Sequence, residues 1–483
     1  MKDIKEYLQE YSYLRSIQSL LHWDMETMMP SGAIEDRAKR LSYIQGKMHS
    51  HITSKRYADL LKKFGMKKKL TAQEKVLYKE LKWDYQLNKA LPSAHVEQVS
   101  LASTRATHAW ASAKKSNDLK SFLPHLQTLI DLKRTETGFF KEKKPYDALI
   151  KLHDKEYNSA QITKLFCELK KGLIELTKEV NEEGRFVKVK DLKGPFPMAD
   201  QRKLSLYVAK LFGLPEANSR LDISSHPFSI NISPLDQRIT TRYDEDHLDS
   251  LSSTMHEVGH ALYELNLPRE WEGTPFQEAI SLSVHESQSR FWENVVGRSY
   301  AFSQFIHSEM KKTFPKAIKG KDAEELFRYF NKSVPGLIRV ESSELYYNFH
   351  IIIRYEIEEM IFNQGLNAKD IPAVWKEKYK AYLGIVPKKD SEGILQDSHW
   401  AGGAFGYFPT YTLGNLISGS LYMKLKRVRP EFEKDIAKGE FKFILKFLVE
   451  NIHTKGRSVT SKDLVGELNV NDYLSYLKEK FRG

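Results

Sequence analysis

The pattern in the sequence that points most directly to chemistry is His256-Glu257-Val258-Gly259-His260. On a helix, residues four apart share one face, so both imidazoles can bind the same metal ion. Glu257 lies beside them and can act on a water molecule instead of binding the metal. Neutral imidazoles bind zinc, and a free carboxylate can remove the proton of a water that zinc acidifies. The spacing therefore predicts a hydrolytic zinc site, against the alternative of two histidines that bind no metal.

Apolar residues at helical spacing surround this motif and predict a helix with one buried stripe. They are Leu248, Leu251, Met255, Val258, Leu262 and Leu265.

A zinc hydrolase needs a third protein ligand, which we expect to be a glutamate from a following helix. Glu286 is favoured because the polar run 285–290 interrupts an otherwise apolar helix, where unsatisfied polar groups cost stability. For Glu278 and Glu293, a solvated helix face is the preferred interpretation. His285 is interpreted as a core histidine with satisfied hydrogen bonds, with orientation of the neighbouring ligand as the alternative.

Most of the remaining chain has the three- and four-residue spacing of amphipathic helices. Before the metal motif this spacing predicts helices over residues 4–23, 33–49, 72–90, 93–116, 118–142, 161–182 and 199–212. Helical periodicity resumes after the motif and continues to the C-terminus.

One region has the two-residue period of a half-buried strand. Phe228, Ile230 and Ile232 alternate with polar residues, a turn is predicted at 233–236, and residues 238–243 can return as a second strand. We therefore predict a mainly α fold, a large helical body with a small antiparallel hairpin or sheet beside the active-site helix. No flexible linker interrupts the chain, so we expect one domain over 1–483. The family resemblance described below implies active-site segments at about 226–300 and 338–415.

Composition excludes several classes of protein. The 483 residues carry 75 Lys and Arg against 63 Asp and Glu, a net charge of +12. Acidic residues are interleaved with clusters such as Lys67-Lys68-Lys69, so a solvated surface is favoured over nucleic-acid binding. Cys167 is the single cysteine, which excludes an intramolecular disulfide and a cysteine-based zinc site. Because the N-terminus is charged and no run of 18 apolar residues occurs, we expect a cytoplasmic protein without membrane or nucleic-acid partners.

Six ordered segments carry a resemblance that covers essentially the whole chain. They are Leu21-His22-Trp23-Asp24 with Met29-Pro30, His226-Pro227-Phe228, Asp236-Gln237-Arg238-Ile239-Thr240, His256 to His260, His285-Glu286-Ser287-Gln288, and Gly393-Ile394-Leu395-Gln396-Asp397-Ser398-His399-Trp400. In these segments the sequence resembles the carboxypeptidase Taq family of metallocarboxypeptidases.

The resemblance implies a helical, saddle-shaped homodimer with a long cleft that removes single residues from the C-termini of peptides. It implies broad specificity, with poor cleavage when the terminal residue is proline. It also implies zinc, or cobalt in some members, held by His256, His260 and Glu286.

Hydrolysis of a peptide bond requires hydrogen-bond donors for the tetrahedral oxyanion, besides a general base at Glu257. His399 and Tyr407 are the candidates, with Tyr411 one helical turn beyond. Similarity to related helical zinc peptidases, which place a His and a Tyr in this order, supports them. For both tyrosines the alternative is packing in an aromatic-rich stretch.

A carboxypeptidase must also bind the terminal carboxylate of its substrate, and bidentate arginine suits this best. Arg339 is the first candidate, Arg238 the second and Arg354 the third. Each arginine has a structural ion pair as its alternative, for example Arg354 with Glu358 at i+4. The hairpin is expected to offer backbone groups to an extended peptide. His226 either hydrogen-bonds the substrate or holds its own turn.

In one segment the sequence departs from the family's motif. Where the family has Ile-Arg-x-x-Ala-Asp, this chain has Ile338-Arg339-Val340-Glu341-Ser342-Ser343. The aspartate that could orient Arg339 is therefore lost, and Glu344 is the candidate to replace it. This departure alone supports a non-catalytic scaffold as the second hypothesis, and the close competitor is another helical zinc peptidase, an aminopeptidase or an oligopeptidase.

Overall fold

Helices dominate the computed structural model, which describes residues 2–482. They make up 69% of the chain, which confirms the predicted mainly α class. The first ten are α1 (Lys2–Thr27), α2 (Ile34–Ile52), α3 (Lys55–Gly65), α4 (Ala72–Ala90), α5 (Ser93–Ser116), α6 (Leu119–Thr137), α7 (Pro145–Lys151), α8 (Ser159–Glu183), α9 (Met198–Phe212) and α10 (Asp249–Leu265). The next ten are α11 (Leu282–Arg290), α12 (Tyr300–Thr313), α13 (Ala323–Phe330), α14 (Glu344–Asn363), α15 (Ile371–Leu383), α16 (Pro409–Val428), α17 (Phe432–Ala437), α18 (Lys442–Asn451), α19 (Ser461–Val465) and α20 (Val470–Arg482).

Local sequence signals set several of these helix ends. Helix α8 begins at a capping box, in which the Asn158 side chain accepts from Gln161 N–H and the Gln161 side chain accepts from Asn158 N–H. It ends at Gly184, whose φ of +76° suits glycine. Each helix predicted before the metal motif is present, although the one expected at 118–142 ends at Thr137.

The described residues form two compact units. The first, here called unit 1, comprises residues 2–89, 190–330 and 417–468, and the second, unit 2, comprises 90–189, 331–416 and 469–482. Each unit has its own buried apolar side chains, for example Tyr57 and Leu77 in unit 1 and Leu126 and Leu173 in unit 2. The metal motif lies in unit 1.

The sheet of unit 1 has three strands, β1 (Ser219–Ile223), β2 (Ser229–Ser233) and β3 (Asp236–Thr241), in the order β1-β3-β2. Strands β2 and β3 are antiparallel, as the predicted hairpin requires. Strand β1 was not predicted, and it pairs with β3 in parallel, with Arg220 opposite Arg238. An all-antiparallel sheet is therefore wrong. The short β1 was missed because Asp222 is buried while Ile223 is exposed, which breaks the alternation that identifies a strand.

Helix α10 carries the metal motif and is buried along most of its length. Strands β2 and β3 and helices α9 and α11 pack against it, so the sheet lies beside this helix as predicted. Asn231 on β2 donates to Glu264 near the end of α10, 2.7 Å away, which ties the sheet to the helix. None of the helices between residues 2 and 482 combines the length and apolar character needed to cross a lipid bilayer.

Candidate metal centre

Helices α10 and α11 approach each other closely at Gly259, inside the His-Glu-x-x-His motif. A Cβ atom on Gly259 would lie 2.6 Å from the Gln288 carbonyl oxygen and 2.6 Å from Ser289 Cα. Only a residue without a side chain fits between two backbones at this distance. The glycine therefore lets α11 bring Glu286 up to the two histidines of α10.

The structure brings together the three residues that the sequence proposed as metal ligands. One potential ligand atom from each of His256, His260 and Glu286 lies within 4.8 Å of the other two. Glu286 Oε2 is 3.7 Å from His256 Nε2 and 3.5 Å from His260 Nε2. Two imidazole nitrogens and one carboxylate oxygen converge on a shared volume, which is the donor set of many hydrolytic zinc sites.

The protonation states of Glu286 and His260 also fit a divalent cation. Burial raises the pKa of Glu286, but the Arg290 guanidinium and His256 outweigh it and hold that pKa well below its usual range. Burial, together with His285, lowers the pKa of His260 to about 3. Glu286 is therefore an anion and His260 a neutral imidazole, the forms that bind a metal.

Glu293 and Glu278 are not on solvated helix faces, so that interpretation is wrong for both. Glu293 is 7% exposed, and its Oε2 lies 2.8 Å from His256 Nδ1. Glu278 accepts hydrogen bonds from Arg15 at 2.5 Å and Arg457 at 2.7 Å. Both arginines are far from Glu278 in sequence, so periodicity could not show these pairs.

A charged hydrogen-bond network surrounds His256. Burial lowers the pKa of this imidazole, but the Glu286 carboxylate and the hydrogen bond to Glu293 outweigh burial and leave the pKa raised. Burial raises the pKa of Glu293, but Arg298 and Arg290 bring it down to about 2. Glu293 is thus a carboxylate that accepts from the Nδ1–H of His256.

His285 packs against the second histidine of the motif. Its ring stacks on His260 with centroids 4.5 Å apart, and its Nε2 lies 2.9 Å from Glu264 Oε1. The predicted satisfied hydrogen bond of His285 is present. Stacking also restricts the ring orientation of His260, whose buried Nδ1 has no hydrogen-bond partner among the described residues.

Glu257 is 6% exposed and lies between the two histidines in sequence. Burial raises its pKa to about 7, opposed by His256 and reinforced by the charges of Glu286 and Glu293. A carboxyl group with this pKa can take up a proton and release it near neutral pH.

In unit 2, the arginine candidates share one carboxylate. Asp397 Oδ1 accepts from Arg339 Nε at 2.9 Å, and Asp397 Oδ2 accepts from Arg354 Nε at 2.7 Å. Burial raises the pKa of Asp397, but the two guanidiniums hold it well below its usual range. Two cations and one anion leave this trio with a net positive charge, which favours a further anion.

Arg354 does not pair with Glu358, so that proposed ion pair is wrong. Arg354 is fully buried against Asp397 and the Trp375 ring. Glu358 accepts from Trp400 Nε1 at 2.6 Å and from Gly406 N at 2.8 Å. Glu358 therefore braces the loop that follows His399.

The departure from the family motif does not leave Arg339 without an acidic partner, because Arg339 pairs with Asp397. Glu344, the proposed replacement, instead binds Lys480 at 2.8 Å, so that prediction is wrong. Ser342 bonds His350 Nε2 at 2.6 Å, and Ser343 bonds Ser333 at 2.8 Å. Asp397 belongs to a motif already recognised in the sequence, but its pairing across 58 residues was not predictable from spacing.

His399, Tyr407 and Tyr411 form a cluster in unit 2. His399 Nε2 lies 3.1 Å from Tyr411 Oη, and the His399 and Tyr407 ring centroids are 5.4 Å apart. Burial lowers the pKa of His399 to about 3, so this ring is neutral. Phe405 and Phe408 are fully buried, whereas both tyrosines are half-buried. The tyrosines therefore differ from the phenylalanines in keeping part of each ring at a surface.

The remaining candidates, Arg238 and His226, lie in unit 1. Arg238 forms two hydrogen bonds with Asp236, at 2.9 and 2.8 Å, and its guanidinium lies over the Trp23 ring. This is the structural ion pair left open as its alternative. His226 is exposed, on a loop whose Phe228 N–H donates to Thr240 Oγ1 at 2.9 Å.

Known proteins resemble this chain along its whole length. The carboxypeptidase Taq (M32) metallopeptidase family matches residues 3–481. Carboxypeptidase 1 of Bacillus subtilis is 36% identical over 491 residues, which cover 99% of this chain and 97% of that protein. Thermostable carboxypeptidase 1 of Pyrococcus furiosus is 36% identical over 490 residues, covering 99% and 98%.

Solved structures agree. A structure of Pyrococcus furiosus carboxypeptidase has a TM-score of 0.96 at 35% identity, covering 99% of this chain and 98% of that one. The M32 carboxypeptidase from Deinococcus radiodurans has a TM-score of 0.95 at 32% identity, with the same coverage. The chain therefore belongs to the carboxypeptidase Taq (M32) family of metallopeptidases. It is a metallocarboxypeptidase that requires a divalent metal ion.

Proposed function

We propose that this protein is a zinc carboxypeptidase that releases single C-terminal residues from peptides with broad specificity and spares terminal proline. The observation that carries the proposal is the convergence of His256, His260 and Glu286, with one ligand atom of each within 4.8 Å of the others. These three residues would hold zinc, or cobalt as an alternative. The bound cation would polarise the scissile carbonyl and acidify a water molecule.

Glu257 is proposed as the general base. It takes a proton from the attacking water and returns it to the nitrogen of the leaving residue. Burial, which raises the pKa of this carboxyl to about 7, supports both halves of that role. Its position next to His256 fits a group that acts on water without binding the cation.

His399 and Tyr407 are proposed as donors to the oxyanion, with Tyr411 as a binding residue beside them. A neutral His399 presents one N–H, and each tyrosine presents one O–H, so the cluster offers donors without adding an anion.

Arg339 is proposed to bind the terminal carboxylate of the peptide. The surplus positive charge of the Arg339–Asp397–Arg354 trio supports this role, because a substrate carboxylate would neutralise it. We assign the fully buried Arg354 to holding Asp397 in place. Arg238 is the second candidate for the carboxylate and His226 a candidate for the peptide backbone.

Three further inferences complete the proposal. We infer that the chain acts as one peptidase domain over 1–483, that it forms a homodimer, and that it works in the cytoplasm. Peptides are its proposed partners, and we propose neither a nucleic-acid nor a membrane partner.

The decisive experiment compares two forms of one peptide, one acetylated at its N-terminus and one amidated at its C-terminus. The products of each are identified by their masses. We expect the acetylated peptide to shorten one residue at a time from its C-terminus, and the C-terminal amide to stay intact. A chelator should stop cleavage, and zinc or cobalt should restore it. A matched peptide ending in proline should persist.

Other outcomes would contradict the proposal. Cleavage of the amide inside its chain would indicate an oligopeptidase, and protection by acetylation would indicate an aminopeptidase. A purified protein that binds no metal and cleaves neither peptide would indicate a non-catalytic scaffold.

A further inference from the structure

We propose that Glu293, held by Arg298 and Arg290, is a positioning residue that fixes the tautomer and orientation of His256 and thereby sets the affinity for the metal. The inference rests on the proposed metal ligands. It assigns Glu293 a role at the metal site in place of the solvated helix face that the sequence predicted.

The contacts of His256 carry the first step. Glu293 Oε2 lies 2.8 Å from Nδ1, and the other ring nitrogen, Nε2, faces Glu286 Oε2 at 3.7 Å. A carboxylate accepts hydrogen bonds only, so Glu293 requires the proton of the ring to be on Nδ1. In the neutral ring, the lone pair of Nε2 then lies on the side of His260 and Glu286. The negative partner also makes the imidazole a stronger donor to a cation.

Glu293 is itself held in place by two cations. Arg298 Nη2 lies 2.8 Å from Glu293 Oε1, and Arg290 Nη1 lies 3.3 Å from Glu293 Oε2. Because the carboxylate is bound through both oxygens, it cannot rotate away from His256 without breaking an ion pair.

Arg290 links this carboxylate to the other proposed anionic ligand. Its Nε donates to Glu286 Oε1 at 2.7 Å, while Glu286 Oε2 remains directed at the two imidazoles. One guanidinium therefore orients Glu286 and supports Glu293. The position of the third ligand and the tautomer of the first are set by the same side chain.

An unusual helical turn places these residues. Helix α11 continues into a π-helix, Phe291–Gly297, which contains Glu293. Its i→i+5 hydrogen bonds make this turn wider than an α-helical one. Arg298, which pairs with Glu293, follows directly after its last residue. Gly297 packs against Met255, the neighbour of His256, where a Cβ atom would collide with the methionine sulfur. The wide turn thus brings Glu293 against the helix that carries the histidines.

The test measures metal binding by the full-length protein, so it does not depend on turnover. Metal-free wild type and Glu293→Gln are titrated with Zn²⁺ against a competing chelator, and the visible spectrum of each is recorded with Co²⁺. We expect Glu293→Gln to bind zinc about 10- to 100-fold more weakly, because the amide lacks the charge and can present its NH₂ to Nδ1. The cobalt spectrum should change because the His256 ring is no longer held.

Glu80→Gln is the matched control. Glu80 is 6% exposed and accepts from Arg457 at 2.9 Å, so it is also a buried carboxylate paired with arginine in unit 1. We expect this variant to keep the zinc affinity and cobalt spectrum of wild type, even if its metal-free melting temperature falls as much as that of Glu293→Gln.

Several results would overturn the inference. If Glu293→Gln binds zinc as tightly as wild type, Glu293 does not position His256 for the metal. If Glu80→Gln loses as much zinc affinity as Glu293→Gln, the effect is a general result of losing a buried charge. If Glu293→Gln does not fold, Glu293→Asp takes its place, since it keeps the charge but withdraws the oxygen from Nδ1, and wild-type affinity there has the same meaning. A wild-type protein that binds neither metal would instead refute the proposed function.

Discussion

The close approach of helices α10 and α11 at Gly259 makes the substitution Gly259→Ala a sensitive test of the site. The new methyl group would meet two backbone atoms of α11 at 2.6 Å, and backbone cannot rotate away as a side chain can. Normal contact begins at 3.4 Å, so α11 must retreat by about 0.8 Å. Glu286 is on α11 and would retreat with it.

The size of this shift predicts the consequence. Metal–ligand distances tolerate deviations of only about 0.2 Å, so a displacement of about 0.8 Å should weaken zinc binding by at least about 10-fold. Overpacking costs about 1–3 kcal/mol, against which alanine adds up to about 1 kcal/mol of helix propensity. The metal-free variant should therefore be less stable by about 0–3 kcal/mol.

The assay is zinc titration against a chelator, together with chemical unfolding of the metal-free protein. Gly46→Ala is the control, because Gly46 lies within helix α2 and a Cβ atom there meets nothing within 4 Å. We expect the control to keep its zinc affinity and to gain up to about 1 kcal/mol of stability. If Gly259→Ala binds zinc as tightly as wild type, the argument that helix spacing sets the site is wrong.

Three further predictions concern single side chains. Glu257→Gln should keep its zinc, measured by elemental analysis, and lose at least about 100-fold in kcat; wild-type turnover would refute its role as base. Asp397→Asn removes the only acid of the Arg339–Asp397–Arg354 trio and should cost about 3–5 kcal/mol in denaturant unfolding, and a loss below about 1 kcal/mol would contradict this. Burial lowers the pKa of His453 to about 3, whereas in the unfolded chain this pKa is about 6.5. As the pH decreases below about 6.5, the unfolded state takes up a proton and the folded state does not. The free energy of unfolding should therefore decrease, by about 2 kcal/mol at pH 5. His453→Gln should lose less stability than wild type between pH 7 and 5, and equal losses in both proteins would argue against this assignment.

Local patterns predicted much of the fold and part of the site. The convergence of His256 and His260 follows from a four-residue spacing on one helix, which needs no tertiary information. The alternation of Ile230 and Ile232 identified a strand of the hairpin for the same reason. Glu286 could be proposed because polar residues in a buried helix need partners, although its approach to the histidines depends on Gly259.

The predictions that were wrong mainly concerned ion pairs between segments that are distant in sequence. The sequence around Glu293 and Glu278 gives no sign of their arginine partners. These partners make it favourable to bury Glu293 and to half-bury Glu278. Arg354 was paired with Glu358 because four residues separate them, whereas the fold offers Asp397. Helical spacing describes neighbours on one helix and carries no information about the helix packed against it.

The amino-acid sequence by itself determined the mainly α class, the zinc-type motif and the family, because each is written in short-range spacing or in ordered segments. The tertiary structure decided which acidic residue pairs with each arginine or histidine. Asp397 accepts a hydrogen bond from Arg339, 58 residues away in sequence, and Glu293 accepts one from His256, 37 residues away. A buried charge is stable only when it is paired with an opposite charge. In this protein the paired residues lie on chain segments that are distant in sequence and that only packing brings together.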